Sequence, residues 1–367
     1  MTERELKLVI EPAEYLRLAS ALPDYAGERW MANHYFDTSD RALRTRGAML
    51  RIRETERGRT AGLKQAIVVL GGSFEAAERE EPIQDADWRR VARAGGDLGI
   101  LDHSVIREAF ALAGAAVLRY LGSVRVLRKA YRIATDSVLE LDLACYEDGT
   151  QDCELELETE RPECVRPFVE ELLERRGVSV REQTRTKYQR FLDRPESEPL
   201  ELCESLAGEV VTVGDGVLVQ RTPLGGPRVV ATRAFAPGDA ILELEGSPVE
   251  GDLPPRRGTH FLQVGATRFL DLRRTIGRHV GHSCAPNAGI RGERTLVAMQ
   301  GILPEQEVRR DYAMTEYDLD RVCCCGTAAC RGRIGGYRVL SSNLRAAYGP
   351  WVADHLRGSA APEPEAP

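Results

Sequence analysis

The 367-residue chain has no uninterrupted apolar run of the roughly 18–20 residues that a membrane helix needs, so no membrane partner is expected. It also lacks surplus positive charge: 57 Asp and Glu outnumber 50 Lys and Arg, for a net charge of -7. Sequence-independent binding to a nucleic-acid backbone rests on such a surplus, so no direct nucleic-acid binding is expected. Low-complexity stretches and internal repeats are missing, and with 29% charged residues this excludes a fibrous or largely disordered chain. The opening MTERELKLVIEP puts carboxylates where a secretory leader has Lys and then an apolar block, and the expected location is the cytoplasm.

At roughly 100–200 residues per domain, the length predicts two or three domains. The first break is DRPESEPLELCES, residues 193–205. Before it, Glu163–Arg176 carries Val165, Phe168, Leu172 and Leu173 at helical spacing, and most other segments alternate with period two. After it, short Val, Leu and Ile runs lie between Gly and Pro, and only Asn343–Leu356 reads as clearly helical. The closing GSAAPEPEAP is a disordered tail by composition.

Glu3, Glu5 and Lys7 alternate with Arg4, Leu6 and Leu8, so on a strand the three charges share one face. Arg51 and Arg53, Arg128 and Arg132, Glu140 and Asp142, and Glu154, Glu156 and Glu158 repeat the pattern. One such strand alone reads as a sheet with a solvated face. Acidic and basic faces together, closed into one barrel, would line a lumen able to hold a polyanion and its metal ions.

The ExExK start, YFDTSDRALRTRGAMLRIRE, GLKQ, the ELELE strand and TKYQRFL, in that order over residues 1–195, resemble the CYTH domain, or triphosphate tunnel metalloenzyme. The resemblance implies an eight-stranded antiparallel tunnel barrel that binds a triphosphate-containing small molecule or polyphosphate and, with Mg²⁺ or Mn²⁺, hydrolyses it. Arg51, Arg53, Lys64, Arg128, Arg132 and Lys187 are then the phosphate ligands, joined by Arg79 from AEREEPI, with Glu81 as its inward partner. Glu3, Glu5, Glu154 and Glu156 are the ligands for hard cations. Lys7 is the candidate to position or activate water, and Asp37 has a structural role. Inorganic triphosphate, thiamine triphosphate and ATP all stay open as substrates.

Four of the nine cysteines, Cys323, Cys324, Cys325 and Cys330, fall within eight residues. In a reducing compartment this reads first as a metal site, and zinc wants a fourth ligand, for which Cys284 is nearest. Cys324, between two ligands on an extended segment, should point away.

GRHVGHSCAPNAGI (277–290), EQEVRRDY (305–312) and CCCGTAACRG (323–332) together resemble a SET domain with its post-SET zinc loop, the fold of protein lysine methyltransferases. The resemblance implies a knot-like S-adenosyl-L-methionine site with His282 and Ser283 in the cofactor region, Asn287 supporting the knot, and Gly226 in the Gly-rich turn. It makes Tyr312 the catalytic tyrosine, which also borders the cofactor, and Cys284, Cys323, Cys325 and Cys330 structural zinc ligands. A Lys-bearing protein would be the methyl acceptor. Three positions depart from the family pattern. Gly281 replaces an Asn whose amide helps hold the cofactor, Arg228 replaces the second glycine of a Gly-x-Gly turn, and Leu244 stands where Tyr is common.

The expected architecture is two-domain and mainly β. An eight-stranded antiparallel tunnel barrel with flanking helices (α+β) at 1–195 is followed by a linker at 196–209. A SET-type β-fold with a knot-like cofactor site and post-SET zinc loop occupies 210–340, then a C-terminal helix at 341–357 and a tail at 358–367. The expected function is a triphosphatase fused to a protein-lysine N-methyltransferase. The competing expectation is a triphosphate- or polyphosphate-binding regulatory module joined to a weakened SET scaffold for protein interaction.

Overall fold

The computed structural model describes residues 2–94, 96–114, 117–134, 137–159, 161–194, 211–212, 216–222, 226–253, 258 and 260–357. The chain divides into two compact units, Met1–Glu147 with Gln151–Ala207, and Gly208–Pro367 with Asp148–Thr150. The expected linker and tail lie outside the described residues. No described helix is long and apolar enough to cross a membrane.

The first unit runs β1 (Thr2–Ile10), α1 (Pro12–Ala21), β2 (Tyr25–Asp37), α2 (Ala42–Thr45), β3 (Met49–Thr55), β4 (Gly58–Leu70) and β5 (Ser73–Ile83). It continues with α3 (Asp85–Arg93), α4 (Ser104–Ala113), β6 (Arg119–Ala134), β7 (Ser137–Tyr146), β8 (Gln151–Glu158), α5 (Pro162–Glu174) and α6 (Lys187–Leu192). The strands close into a barrel in the order β1-β5-β4-β3-β2-β6-β7-β8, every pair antiparallel, with β8 returning to β1.

Period-two patterning is used here with its faces reversed. Charged side chains point inward, while Leu6, Leu8, Ile52, Leu63, Leu141 and Leu155 point outward and are fully buried. An outward apolar face needs a cover. Trp88 and Val91 of α3 and Val105, Ile106 and Ala109 of α4 supply it over β3 and β4. On the other side α1 packs on β8 and α5 on β1. Burying each large apolar side chain stabilises by about 1.5–3 kcal/mol, which offsets the cost of a charged interior.

The second unit holds a three-stranded sheet of β9 (Val211–Thr212), β10 (Val217–Thr222) and β11 (Gly226–Ala231). A second three-stranded sheet has the order β13-β15-β14, with β13 Ser247–Glu250, β14 Phe261–Gln263 and β15 Arg268–Asp271, and a five-stranded sheet has the order β12-β18-β17-β19-β16, with β12 Ala240–Glu243, β16 Gly281–His282, β17 Ala288–Arg291, β18 Thr295–Ala298 and β19 Arg309–Arg310. The short strand β19 pairs in parallel with both β16 and β17, so residues 281–288 straddle it. The crossing is tied by backbone bonds from Ser283 N to Arg310 O (3.0 Å) and Asn287 N to Arg309 O (3.2 Å). This arrangement is compatible with a SET-type fold. Leu244 is fully buried, in the same apolar core as Ile290, Leu296 and Met314.

The helix expected over 341–357 is instead three pieces: Ser342–Tyr348, a 3-10 turn Gly349–Trp351, and Asp354–Arg357. Pro350 lacks an amide hydrogen and disfavours helical backbone at Gly349, which breaks the run.

Candidate functional site

The register of the barrel fixes which charges meet. Lys7 lies opposite Glu156, Arg128 opposite Asp142, Asp142 opposite Glu154, and Lys64 opposite both Met49 and Glu78. The cavity inside, about 810 Å³ with solvent at its mouth included, is lined by Glu5, Lys7, Arg51, Arg53, Lys64, Arg128, Asp142, Glu156 and Lys187. Lys187 enters from α6 rather than a strand. Thr186 caps that helix, its hydroxyl accepting from Gln189 N (3.0 Å) while the Gln189 side chain accepts from Thr186 N (2.8 Å). Tyr188 anchors it by donating to buried Asp37 (3.0 Å), which also receives Thr38 N and Leu43 N. Asp37 is therefore structural.

The lumen has two electrostatic parts. In one, Asp142, Glu154 and Glu156 bring one carboxylate oxygen each into a common group, all within 4.8 Å of one another. Lys187 Nζ lies 2.7 Å from Asp142 and 2.5 Å from Glu156, Lys7 Nζ lies 2.6 Å from Glu156 and 3.0 Å from Glu5, and Arg128 forks onto Asp142 at 2.7 Å. Burial alone would raise the Glu156 carboxyl, but Lys187, Lys7 and Arg128 hold it well below the usual range. Burial would lower Lys7, but Glu156 and Glu5 keep it above its ordinary value. Lys7 is thus an ammonium that can orient water but has no lone pair to take a proton.

In the other part, cations outnumber their partners. Arg53 is drawn down to about 10 by burial and by the neighbouring Arg51 and Arg128 guanidiniums. Among the described residues its hydrogen bond is to Asn33 Oδ1 (3.3 Å). Arg51 holds Glu78 (3.0 Å), yet its Nε is buried with nothing to donate to. Buried guanidinium donors left over in this way are what an anion with several oxygens satisfies. The carboxylate group, made of hard oxygen donors, suits Mg²⁺ or Mn²⁺.

Two expected phosphate ligands are not in the lumen. Arg79 is exposed and pairs with Glu108 of α4, because on β5 the inward positions are Glu78 and Glu80. Glu81, its expected inward partner, also faces outward and accepts from Ser104 Oγ (3.0 Å). Arg132 is exposed beside a register shift at the end of β6, outside the cavity lining. Glu3 has its backbone on β1 opposite Ala76, and its side chain lies outside the described ones. Asp142, whose alternation with Glu140 is plain in the sequence, and Glu78 are lumen residues that had been given no site role.

In the second unit His282, Cys284, Cys323 and Cys325 converge, one donor atom of each within 4.8 Å of the others. Cys284 Sγ and Cys323 Sγ are 3.7 Å apart. Two thiolates on one tetrahedral zinc with Zn–S near 2.3 Å stand about 3.8 Å apart, so the donor set fits zinc. Burial brings His282 down to about 4, which leaves its ring neutral at pH 7. Cys330, expected with Cys323 and Cys325 as one of the three clustered thiolate ligands, is not among these four: its sulfur lies near Cys323 O (3.9 Å) and Gly332 N (3.5 Å). β16 carries His282 alongside Cys284, with Nε2 3.3 Å from its sulfur. Cys324 is exposed, turned away as its spacing suggests.

Around the knot, Tyr312 is buried with its hydroxyl on Val280 O (3.2 Å) and its amide near His282 Nδ1 (3.3 Å). Neighbouring Asp311 is fully buried and accepts from Tyr348 (2.7 Å) and Arg331 (2.6 Å). Ser283 Oγ accepts from Ala285 N, and Asn287 ties Glu307 O and Arg309 N together. Gly226 has φ +72°, a backbone that favours glycine.

A closed antiparallel barrel with hard-metal carboxylates on one side of its lumen and surplus guanidiniums on the other defines a polyanion tunnel. Residues 1–192 match the CYTH domain family, and the chain belongs to that family. Among solved structures it is similar to the proposed adenylyl cyclase HpAC1 from Hippeastrum, described as having a dominant triphosphatase activity. That match has 28% identity and TM-score 0.49, covering 52% of this chain and 95% of that one. A proposed adenylate cyclase from Bacillus halodurans matches at 24% identity and TM-score 0.42, over 52% and 96%. The chain is also 26% identical over 129 residues to the histone-lysine N-methyltransferase ASHH3 of Arabidopsis thaliana. That match covers 30% of this chain and 36% of the relative, so the chain spans about a third of that protein's length. It is consistent with a SET domain fused to the CYTH domain.

Proposed function

We propose that the tunnel hydrolyses a triphosphate-containing small molecule or polyphosphate with Mg²⁺ or Mn²⁺, and that the second half transfers methyl groups from S-adenosylmethionine to protein lysine. The domain limits read from the sequence belong to this proposal. The observation that carries the first half is the pairing of buried Arg51 and partly buried Arg53 with the carboxylate group Asp142, Glu154 and Glu156 in one lumen. The bound cation would polarise the terminal phosphoryl group and neutralise charge developing on its oxygens. Glu5, Glu154, Glu156 and Asp142 would hold it. Arg51, Arg53, Lys64 and Arg128 grip phosphate oxygens, Lys7 orients water, and the barrel wall limits bulk solvent. Catalysis is then mostly positioning and electrostatics. Phosphate release from tripolyphosphate by the full chain should depend on Mg²⁺ or Mn²⁺ and fall at least tenfold in Glu5→Gln. Undiminished release would place the activity elsewhere.

For the second half, the supporting observation is Tyr312 fixed on Val280 O at the crossing, with a zinc-compatible cluster beside it. S-adenosylmethionine supplies an electrophilic methyl group. Tyr312 at the crossing would help orient a neutral lysine amine toward that methyl group, and a site shielded from water would favour the neutral amine. The full chain should transfer labelled methyl to protein, and Tyr312→Phe should reduce this strongly. Gly281 and Arg228 favour a second reading, a SET scaffold without cofactor, which a folded, zinc-loaded chain with no affinity for S-adenosylhomocysteine would support.

A further inference from the structure

The two departures at Gly281 and Arg228 meet at one side chain, Glu307. Parallel pairing of β16 with β19 puts Gly281 opposite Arg309, two residues after Glu307. A Cβ built on Gly281 would stand 3.2 Å from Glu307 Oε1, so a side chain at 281 would crowd the carboxylate. The other oxygen, Oε2, is held by Arg309 Nη2 at 2.5 Å, with Arg228 Nη1 3.8 Å away. Both guanidiniums are themselves fixed: Arg228 donates twice to Gln220 Oε1 (3.1 and 2.7 Å), and Arg309 donates to Cys325 O (3.2 Å) beside the cysteine cluster. Oε1 accepts no hydrogen bond from the described residues. The result is a half-buried carboxylate clamped on one oxygen, its other oxygen presented over a glycine.

Partly exposed ion pairs of this kind add little to stability, so holding the fold is a weak reason for the arrangement. An acceptor fixed in place and open on one side matches a cation with hydrogens to donate. S-adenosylmethionine carries one such group, the ammonium of its amino-acid end. We propose that Glu307, held by Arg309 and Arg228, accepts that ammonium and takes over from the amide that Gly281 lacks. This rests on the methyltransferase reading above. Arg228 is then a countercharge to Glu307 rather than an obstacle, and Gly281 is small because a side chain there would crowd Glu307.

The test is calorimetric binding to the zinc-loaded full chain, with S-adenosylhomocysteine and with 5′-methylthioadenosine, which has the nucleoside and thioether but no ammonium. Glu307→Ala should weaken S-adenosylhomocysteine about tenfold or more and leave 5′-methylthioadenosine within about twofold. Gly281→Asn alone should weaken S-adenosylhomocysteine, because its side chain meets a carboxylate that Arg309 holds in place. The double variant Gly281→Asn with Glu307→Ala should recover most of the affinity, as the amide returns to a cleared space. Unchanged S-adenosylhomocysteine binding in Glu307→Ala, or equal weakening of both ligands, overturns the assignment to Glu307. Wild-type chain that binds neither ligand overturns the methyltransferase reading itself, a distinct result.

Discussion

Lys187 Nζ lies 2.7 Å from Asp142 Oδ2, although one side chain comes from a helix and the other from the barrel wall. The same ammonium is 2.5 Å from Glu156 and also touches Glu154, so it sits on all three carboxylates of the candidate cation site. With no divalent ion bound, Lys187 supplies charge that three buried carboxylates require. Lys187→Met should therefore bind Mn²⁺ more tightly in the absence of phosphate, by about tenfold, or about 1.4 kcal/mol. It should also raise KM for tripolyphosphate, since a phosphate partner is lost. Mn²⁺ titration followed by electron paramagnetic resonance checks the first effect, and weaker binding would contradict it.

The Tyr188 to Asp37 hydrogen bond, 3.0 Å and buried, holds the helix that carries Lys187. A hydrogen bond to a charged acceptor is worth about 1.5–3 kcal/mol. Tyr188→Phe should lose about that much in urea unfolding of the first unit and raise KM more than it lowers kcat. An unchanged unfolding midpoint would show that the bond does not anchor α6.

Acid should weaken the lumen network. Burial opposes ionisation of Asp142 and Glu156, but Arg128, Lys187 and Lys7 hold both below their ordinary values. Groups with lowered folded values contribute stability that is present above the unfolded range near pH 4 and lost as pH falls through the folded values. Lys7 and Lys187 are raised by these carboxylates against burial, so their contribution is present below the ordinary lysine value and lost as pH rises above it. The Tm advantage of metal-free wild type over Glu156→Gln should thus be full near pH 7 and shrink between pH 5 and 2. Scanning calorimetry across that range checks this, and an advantage that grows in acid would reverse the sign.

Zinc should be structural in the second unit. Cys323→Ser removes a buried thiolate from the cluster, and should abolish stoichiometric zinc by elemental analysis and lower the Tm of that unit. Full zinc occupancy in this variant would move the metal elsewhere.

The lumen was legible wherever charge alternated strictly with apolar residues, as at Glu5 and Lys7, Arg51 and Arg53, and Glu154 and Glu156. Period two assigns a face only when the two sets differ. In AEREEPI charges occupy consecutive positions, so Arg79 and Glu81 could not be told from Glu78 and Glu80, and the β4–β5 register chose the latter pair. Arg132 has the right parity but lies beside the register shift near the end of β6, where lumen and solvent meet. Lys187 is on a helix, and its place inside the barrel was implied only by the resemblance. The nearness of Glu307 to Gly281, and of His282 to Cys323 and Cys325, comes from pairings some 26 to 43 residues apart in the chain, which no local pattern encodes.

The most direct test of the tunnel account is kcat/KM for tripolyphosphate hydrolysis with Mn²⁺, in wild type and in Arg53→Ala. Arg53 is the partly buried guanidinium whose lowered value, about 10, reflects burial and cationic neighbours. Its removal deletes a charged donor to the bound anion, which should cost about 1.5–3 kcal/mol, or about ten- to 150-fold in kcat/KM. A variant that keeps wild-type kcat/KM would contradict a triphosphate bound in this lumen.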